Sequence, residues 1–185
     1  NNEIGTIQPM GTLTALAHKV GAVVMSDCVQ ACGKTPVDLE ALGIDAAIVS
    51  SHKCYAPTGC GGIFIKDSTL LKAWILGGTQ QEQLRAGTIN VMGTVLFAKG
   101  VEYCINATHE DIGGWVSELK RACPAIELIA SPQQKNQLWN TVSIAIPGAL
   151  SHDLMMQCDV EGVAVGTGSA CATGAVEVSS VVLAL

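Results

Sequence analysis

The sequence predicts an α/β fold in which short buried strands are interleaved with amphipathic helices. Three aliphatic runs have the length and composition of strands, and apolar residues recur at helical spacing before and after them. Of the 185 residues, 49% are hydrophobic, 14% are charged and only 4% are aromatic. Small and aliphatic side chains therefore dominate the apolar content, which is typical of a folded domain and not of a disordered chain.

The first predicted helix follows Pro9, because proline fits the first helical turn, where its missing N–H costs nothing. Gly21 is a residue type that commonly ends helices. Between them, apolar residues recur at helical spacing: Leu13, Leu16, Ala17 and Val20. The pattern predicts an amphipathic helix.

The three aliphatic runs, at 22–25, 46–49 and 62–65, are predicted as strands, the first two buried and parallel. Polar segments follow the first run at Asp27 and the second run at Lys53. Ligands of open α/β sheets bind beyond the carboxyl ends of strands. Asp27 and Lys53 therefore mark a candidate site.

The second half of the chain is predicted to contain helices at 91–105 and 115–122, a strand at 141–146, a helix from Ser151 to Gly162 and a strand at 163–165. Ser151 is predicted to cap its helix, on which Leu154, Met155 and Cys158 face inward. We expect a domain boundary after residue 105.

A glycine-rich loop is predicted at 166–174, with Cys171 at its centre. Glycine frees the backbone, so we expect this loop to move. Cys171 is a candidate nucleophile; the alternative is an inert small hydrophobic residue.

The net charge of -6, with no cluster of Lys or Arg, argues against a nucleic-acid partner. No apolar stretch approaches the ~20 residues that a membrane-spanning helix needs, which argues against a membrane partner. We expect a soluble protein of the cytoplasm, or of the mitochondrial or plastid matrix in a eukaryote.

The eight cysteines are scattered through aliphatic segments, which favours reduced thiols over a disulfide framework. The pairs Cys28 with Cys32 and Cys54 with Cys60 lack the C-x2-C spacing of common zinc sites. A thiol-rich metal-binding domain is therefore a minor alternative, and we expect no metal.

Lys53 follows two hydroxyls and an imidazole at the end of an apolar strand. Burial there would favour the neutral amine that a Schiff-base lysine requires, whereas the alternative is a surface lysine. Asp27 and Gln30 could bind the ring nitrogen and phenolic oxygen of pyridoxal 5'-phosphate (PLP). The alternative for Asp27 is a helix cap.

Two segments could bind a phosphate. Ser50 and His52 supply a hydroxyl and an imidazole beside Lys53. Arg85, Gly87 and Thr88 form a second candidate, because glycine lets backbone N–H groups approach an anion.

Five segments together resemble, in order and spacing, the cysteine desulfurases of the class V aminotransferase-like group: 1–5, 27–30, 50–53, 85–90 and 168–171. The resemblance implies an α/β fold of the PLP-dependent transferases of fold type I, as in aspartate aminotransferase. Residues 1–105 would form part of the large PLP-binding domain. Residues 106–185 would form part of the small C-terminal α+β domain.

The resemblance also implies a role for each matched residue. Lys53 would hold PLP covalently and shuttle the proton of the substrate Cα, and Cys171 would attack the substrate sulfur. The other implied contacts are Asp27 at the pyridine nitrogen, Gln30 at the phenolic oxygen, Ser50 and His52 at the phosphate, Thr88 at the phosphate in the second subunit of a homodimer, and Asn2 near the substrate carboxylate.

The implied activity converts L-cysteine to L-alanine and leaves a persulfide on the enzyme, for iron-sulfur cluster assembly or tRNA thiolation. The implied partners are a sulfur acceptor or scaffold protein and a second copy of the chain. A selenocysteine lyase of the same group and an inactive PLP-fold fragment are the alternatives.

Several residues depart from the motifs of the group: Ala56, Thr79, Gln81, Glu82, Gln83, Val178 and Ser180. The resemblance places a PLP-stacking histidine and a phosphate loop before Asn1, and an arginine for the substrate carboxylate after Leu185. We therefore expect that both ends of the chain are cut.

Overall fold

The computed structural model describes residues 1–131, 133–168 and 179–185. The chain divides into two compact units. The first unit is Pro9–Thr108, and the second combines Asn1–Gln8 with His109–Leu185. The division lies close to the boundary predicted after residue 105. The identification of the two units with a large and a small domain stays a prediction.

The first unit contains helix α1 (Met10–Lys19), strands β1 (Met25–Asp27), β2 (Ala46–Ser50) and β3 (Gly61–Ile65), and helix α2 (Val91–Asn106). Single 3-10 turns lie at Ser51–Lys53, Ser68–Leu70 and Gln81–Gln83. The predicted helices and the second and third predicted strands are confirmed. The amides of Gly21 and Ala22 close the end of α1 on the carbonyls of His18 and Ala17, as the glycine indicated.

The three strands form one sheet in the order β1-β2-β3. β1 runs parallel to β2, and β3 runs antiparallel to it. The first strand was predicted over 22–25 and buried, which is wrong on both counts. β1 begins only at Met25, because the Ala22 N–H closes α1 and the Val24 N–H donates to the Asp45 carboxylate instead of to a strand. Met25 is 62% exposed, on a strand that pairs on one side only.

Helix α1 packs through a different face from the predicted one. Leu16 and Val20 are 55% and 81% exposed, whereas Thr14 is buried. Thr14 donates its hydroxyl hydrogen to backbone carbonyls that include that of Leu42, and His18 lies 2.8 Å from Asp45 on the same face. Polar contacts to the segment before β2 therefore orient the helix.

The core of the first unit is formed by Cys28, Ile44 and Ala47, with partly buried aliphatic side chains around it. The carboxylate of Asp45 accepts the Val24 N–H at 2.8 Å and thereby ties the approach to β1 to the approach to β2. This N–H, followed by His18, holds the pKa of the Asp45 carboxyl below its usual value.

The second unit contains helix α3 (Ile112–Ala122), strands β4 (Glu127–Ala130) and β5 (Ser143–Ala145), and helices α4 (Ser151–Val160) and α5 (Ser180–Leu183). β4 pairs antiparallel with β5 and was not predicted. Leu154, Met155 and Cys158 are half-buried, as predicted. No helix in the described part of either unit is long and apolar enough to cross a lipid bilayer.

Two local predictions for the second unit are wrong. Leu150, and not Ser151, is the N-cap of α4, and no side chain caps that helix. Residues 163–165 form no strand and are exposed. The Val163 N–H donates instead to the Cys158 carbonyl at 2.8 Å and completes the end of α4, so it is not available to a sheet.

Helix α2 approaches the 3-10 turn after β2 unusually closely at Gly100. A Cβ atom at this position would lie 2.2 Å from the Cys54 carbonyl oxygen, which is far inside van der Waals contact. Only a residue without a side chain fits there. Because of this close approach, α2 packs directly against the inner side of the turn that carries Lys53.

We predict that Gly100→Ala destabilises the protein by about 1–3 kcal/mol, because the added methyl group displaces backbone. Gly11→Ala in α1 is the matched control. A Cβ atom there meets only Leu42 Cδ2 at 3.7 Å, and alanine favours a helix by up to about 1 kcal/mol over glycine. Denaturant unfolding measures the free energy of unfolding of both variants. Equal values for Gly100→Ala and Gly11→Ala would contradict the close packing at Gly100.

Candidate active site

The carboxyl ends of β1 and β2 meet at one edge of the sheet because the two strands are parallel. Asp27 pairs with Ile48, which lies two residues before Ser50. Side chains alternate along a strand, so Asp27 and Ser50 project from the same face. The structure therefore brings together a carboxylate and a hydroxyl that were predicted from separate segments.

Ser51 anchors the turn Ser51–Lys53 to the interior of the unit, where its side chain is fully buried. Its Oγ atom lies 2.6 Å from the Pro57 carbonyl oxygen and 2.7 Å from that of Cys60. Its backbone N–H also donates to the Cys60 carbonyl, at 3.1 Å. With Ser51 held inward, His52 and Lys53 remain on the exposed side of the turn.

Ser50 and His52 form a pair at this edge. The Ser50 Oγ and His52 Nδ1 atoms lie 2.7 Å apart, within hydrogen-bond distance. The bond fixes the imidazole ring through Nδ1 and leaves Nε2 directed elsewhere. Two residues predicted to share a phosphate are thus joined to each other.

Lys53 is exposed in the first unit. The burial expected around its amino group from the sequence is wrong for this unit, because the turn points the side chain away from the core that Ser51 and Cys54 enter. The position at the carboxyl end of β2 is as predicted.

Asp27 is also exposed in the described structure. Its Oδ1 atom accepts the Val29 N–H at 2.8 Å. This contact forms an Asx turn, which is close to the capping role considered as the alternative. One carboxylate oxygen, Oδ1, holds the turn, and the second takes no part in it.

Gln30 follows in a helical turn and is half-buried. The Lys34 ammonium donates to its side-chain oxygen at 3.2 Å and to its carbonyl at 3.3 Å. Lys34 was not among the residues predicted from the sequence. The spacing of four residues within a turn was the available signal.

The second anion-binding segment uses its own groups internally. Arg85 donates to the adjacent Ala86 carbonyl at 2.8 Å, and the Gly87 N–H donates to the Gln80 side chain at 3.2 Å. One guanidinium N–H of Arg85 and the Gly87 amide are therefore engaged within the described residues, and anion binding by this segment stays a prediction. Thr88 is exposed, and no described residue joins it to the Lys53 turn by a hydrogen bond.

Two predicted site residues lie elsewhere. Asn2 is exposed and belongs to the second unit. Cys171 falls within 169–178, outside the described residues. The described residue that follows this segment, Ser179, caps α5 and donates its hydroxyl hydrogen to the Glu3 carboxylate.

The family model of aminotransferase class-V proteins matches residues 1–184. The chain belongs to this family. It is 32% identical over its whole length to the cysteine desulfurase IscS of Dictyoglomus turgidum and 35% identical to a cysteine desulfurase of Sinorhizobium fredii. The matches cover 48% and 49% of those proteins, so the chain spans about half the length of the curated relatives it matches.

Solved structures agree with the family. A NifS-like protein from Rickettsia africae covers 91% of the chain at 27% identity with a TM-score of 0.80, over 48% of its own length. A second NifS-like protein covers 90% of the chain at 32% identity with a TM-score of 0.81, over 47% of its own length. The predicted fold type I and the predicted resemblance to cysteine desulfurases are confirmed.

This class-V family is PLP-dependent in general, and three thiols of the first unit lie near the candidate site. Cys32, Cys54 and Cys104 lie close together in the first unit. Burial raises the pKa of the Cys54 thiol to about 11, and burial raises the pKa of Cys32 and of Cys104. Cys54 and Cys104 are buried and Cys32 is half-buried, and the raised pKa of each thiol lowers its reactivity near neutral pH.

All seven cysteines in the described ranges are free thiols. Within those ranges, no group of three or more His, Cys, Asp and Glu side chains is placed to hold a metal ion.

We predict that Cys54 resists alkylation in the native protein. With a pKa of about 11, about one thiol in a thousand is ionised at pH 8, and the side chain is fully buried. Iodoacetamide labelling followed by peptide mass spectrometry should modify the half-buried Cys60 well before Cys54. As a control, Cys54 and Cys60 should be labelled equally in denaturant. Equal labelling of the two thiols in the native protein would contradict the burial of Cys54.

Proposed function

We propose that the protein is a PLP-dependent cysteine desulfurase that converts L-cysteine to L-alanine and transfers the sulfur to Cys171. One observation carries the proposal: the parallel pair β1 and β2 directs Asp27 and Ser50 to one face, beside the turn that presents His52 and Lys53. The names of the curated relatives support the same activity.

The chemistry of the side chains at this edge fits PLP. An exposed amine, that of Lys53, is available to hold the aldehyde carbon covalently. The Asp27 carboxylate is the group that keeps a pyridine nitrogen protonated, and its second oxygen is not used by the Asx turn. The Ser50–His52 pair offers a donor for a phosphate: the Nε2–H of His52 when Ser50 donates to Nδ1, or the Ser50 hydroxyl when Nδ1–H donates to it.

Bound PLP would supply an electron sink that withdraws electrons from the Cα atom of the substrate. In this proposal Lys53 accepts and returns the proton at that Cα. Gln30 donates to the phenolic oxygen of the cofactor, and Asn2 contributes to the site for the substrate carboxylate. We also propose that Thr88 binds the phosphate in the second subunit of a homodimer.

Sulfur transfer falls to Cys171 in this proposal. Its thiolate sulfur forms a bond to the sulfur of L-cysteine, and the Cβ–S bond of the substrate breaks with its electron pair on carbon. A proton completes the methyl group of alanine, and the persulfide remains on Cys171. No external oxidant or reductant is required.

A sulfur acceptor or scaffold protein would then receive the persulfide sulfur, in iron-sulfur cluster assembly or tRNA thiolation. The relatives named IscS support the first of these routes. We propose the cytoplasm, or an organelle matrix in a eukaryote, as the compartment, because the thiols that receive and donate the sulfur stay reduced there.

We predict that Cys171→Ser in the full-length protein abolishes alanine release from L-cysteine but leaves PLP binding intact. A hydroxyl is far less ionised than a thiol near neutral pH and is a poor nucleophile toward sulfur. Alanine release should fall by at least about 100-fold, while absorbance of the bound cofactor stays unchanged.

Cys104→Ala is the matched control, because Cys104 is a buried core thiol. It should lose packing energy and keep the persulfide, measured by transfer of labelled sulfur from L-cysteine. Full alanine production by Cys171→Ser would exclude the desulfurase function and favour a lyase that needs no enzyme thiol.

A further inference from the structure

Lys34 lies one helical turn after Gln30 and contacts it twice. The segment turns because the Cys32 N–H donates to the Cys28 carbonyl at 2.9 Å and the Thr35 N–H donates to the Ala31 carbonyl at 3.1 Å. The Lys34 ammonium therefore reaches back over the turn to the carbonyl and side-chain oxygen of Gln30. Both residues are half-buried, which limits the other positions open to the two side chains.

The two contacts determine which way the Gln30 amide faces. An ammonium group donates hydrogen bonds and cannot accept them, whereas a glutamine amide has one accepting and one donating end. The accepting Oε1 atom must face Lys34, 3.2 Å away. The donating NH₂ group is then directed away from Lys34.

The surroundings of Lys34 strengthen this contact. Burial lowers the pKa of its ammonium, and the neighbouring thiols of Cys54 and Cys104 oppose that effect. A partly desolvated ammonium interacts more strongly with the dipole of an amide than an exposed one does. Lys34 also senses the positive charge of Lys53, so it lies within electrostatic range of the proposed cofactor lysine.

We propose that Lys34 is a positioning residue that fixes the Gln30 amide with its NH₂ group directed to the phenolic oxygen of PLP; this rests on the proposed function. In this proposal Lys34 acts on Gln30 and has no contact of its own with the cofactor. Without it the amide can flip, and the flipped oxygen repels an ionised phenolic oxygen. The effect of Lys34 on the cofactor therefore passes through Gln30 alone.

The test uses the full-length protein with PLP and compares Lys34→Met with Lys34→Arg. Methionine keeps an unbranched side chain of similar length without a donor, whereas arginine keeps the donors. Lys34→Met should weaken PLP binding by about threefold to tenfold, as expected for one hydrogen bond. It should also shift the pH at which the absorbance of the bound cofactor changes, and Lys34→Arg should restore both values towards wild type.

A double-mutant cycle separates positioning from a merely structural role. In a Gln30→Leu background, Lys34→Met should change neither PLP affinity nor the spectral pH profile by more than about twofold, because the residue through which Lys34 acts is gone. An undiminished effect in that background would overturn the proposal. If Lys34→Met does not fold, Lys34→Ala provides the same comparison.

The outcomes distinguish this inference from the function on which it rests. If the wild-type protein binds PLP at Lys53 and Lys34→Met has the wild-type spectrum and affinity, the role of Lys34 is wrong and the cofactor site stands. If the wild-type protein takes up no PLP, the role of Lys34 and the proposed function are both wrong.

Discussion

The buried hydroxyl of Ser51 is the interaction on which the candidate site depends. It lies within hydrogen-bond distance of the carbonyls of Pro57 and Cys60, so it holds the chain that returns from the turn into β3. A buried hydroxyl such as that of Ser51 costs about 1–3 kcal/mol when it is left without a hydrogen-bond partner. Helix α2 seals the same turn from another side, at Gly100. Lys53 therefore projects from a turn that cannot shift without breaking the core beneath it.

In the account proposed here, the thiols that support the turn and the thiol that reacts are different residues. The buried thiols of Cys54 and Cys104 and the half-buried thiol of Cys32 lie close to one another near the turn, and burial raises their pKa values and keeps them protonated. They form part of the support and are unsuited to attack sulfur at neutral pH. Under the proposed function, the nucleophile has to come from a different part of the chain. Cys171 lies in such a part.

Much of the first unit could be predicted because its signals are local. The aliphatic run before Ser50 and the helical pattern after Asn90 specify β2 and α2 without help from distant residues. The buried face of α1 could not be predicted, because Thr14 packs and hydrogen-bonds against a segment 28 residues away in the chain. The pairing of Arg85 and Gly87 with nearby groups, and the use of the Val163 amide by α4, also depend on three-dimensional contacts.

The central claim is that the turn after β2 carries the cofactor lysine. Borohydride reduction of the PLP-loaded full-length protein, followed by peptide mass spectrometry, tests it most directly, because reduction fixes the cofactor to the amine that holds it. The account predicts that the label lies on the peptide containing Lys53 and is lost in Lys53→Ala. A label on Lys34, Lys66 or any other lysine, or an undiminished label in Lys53→Ala, would contradict it.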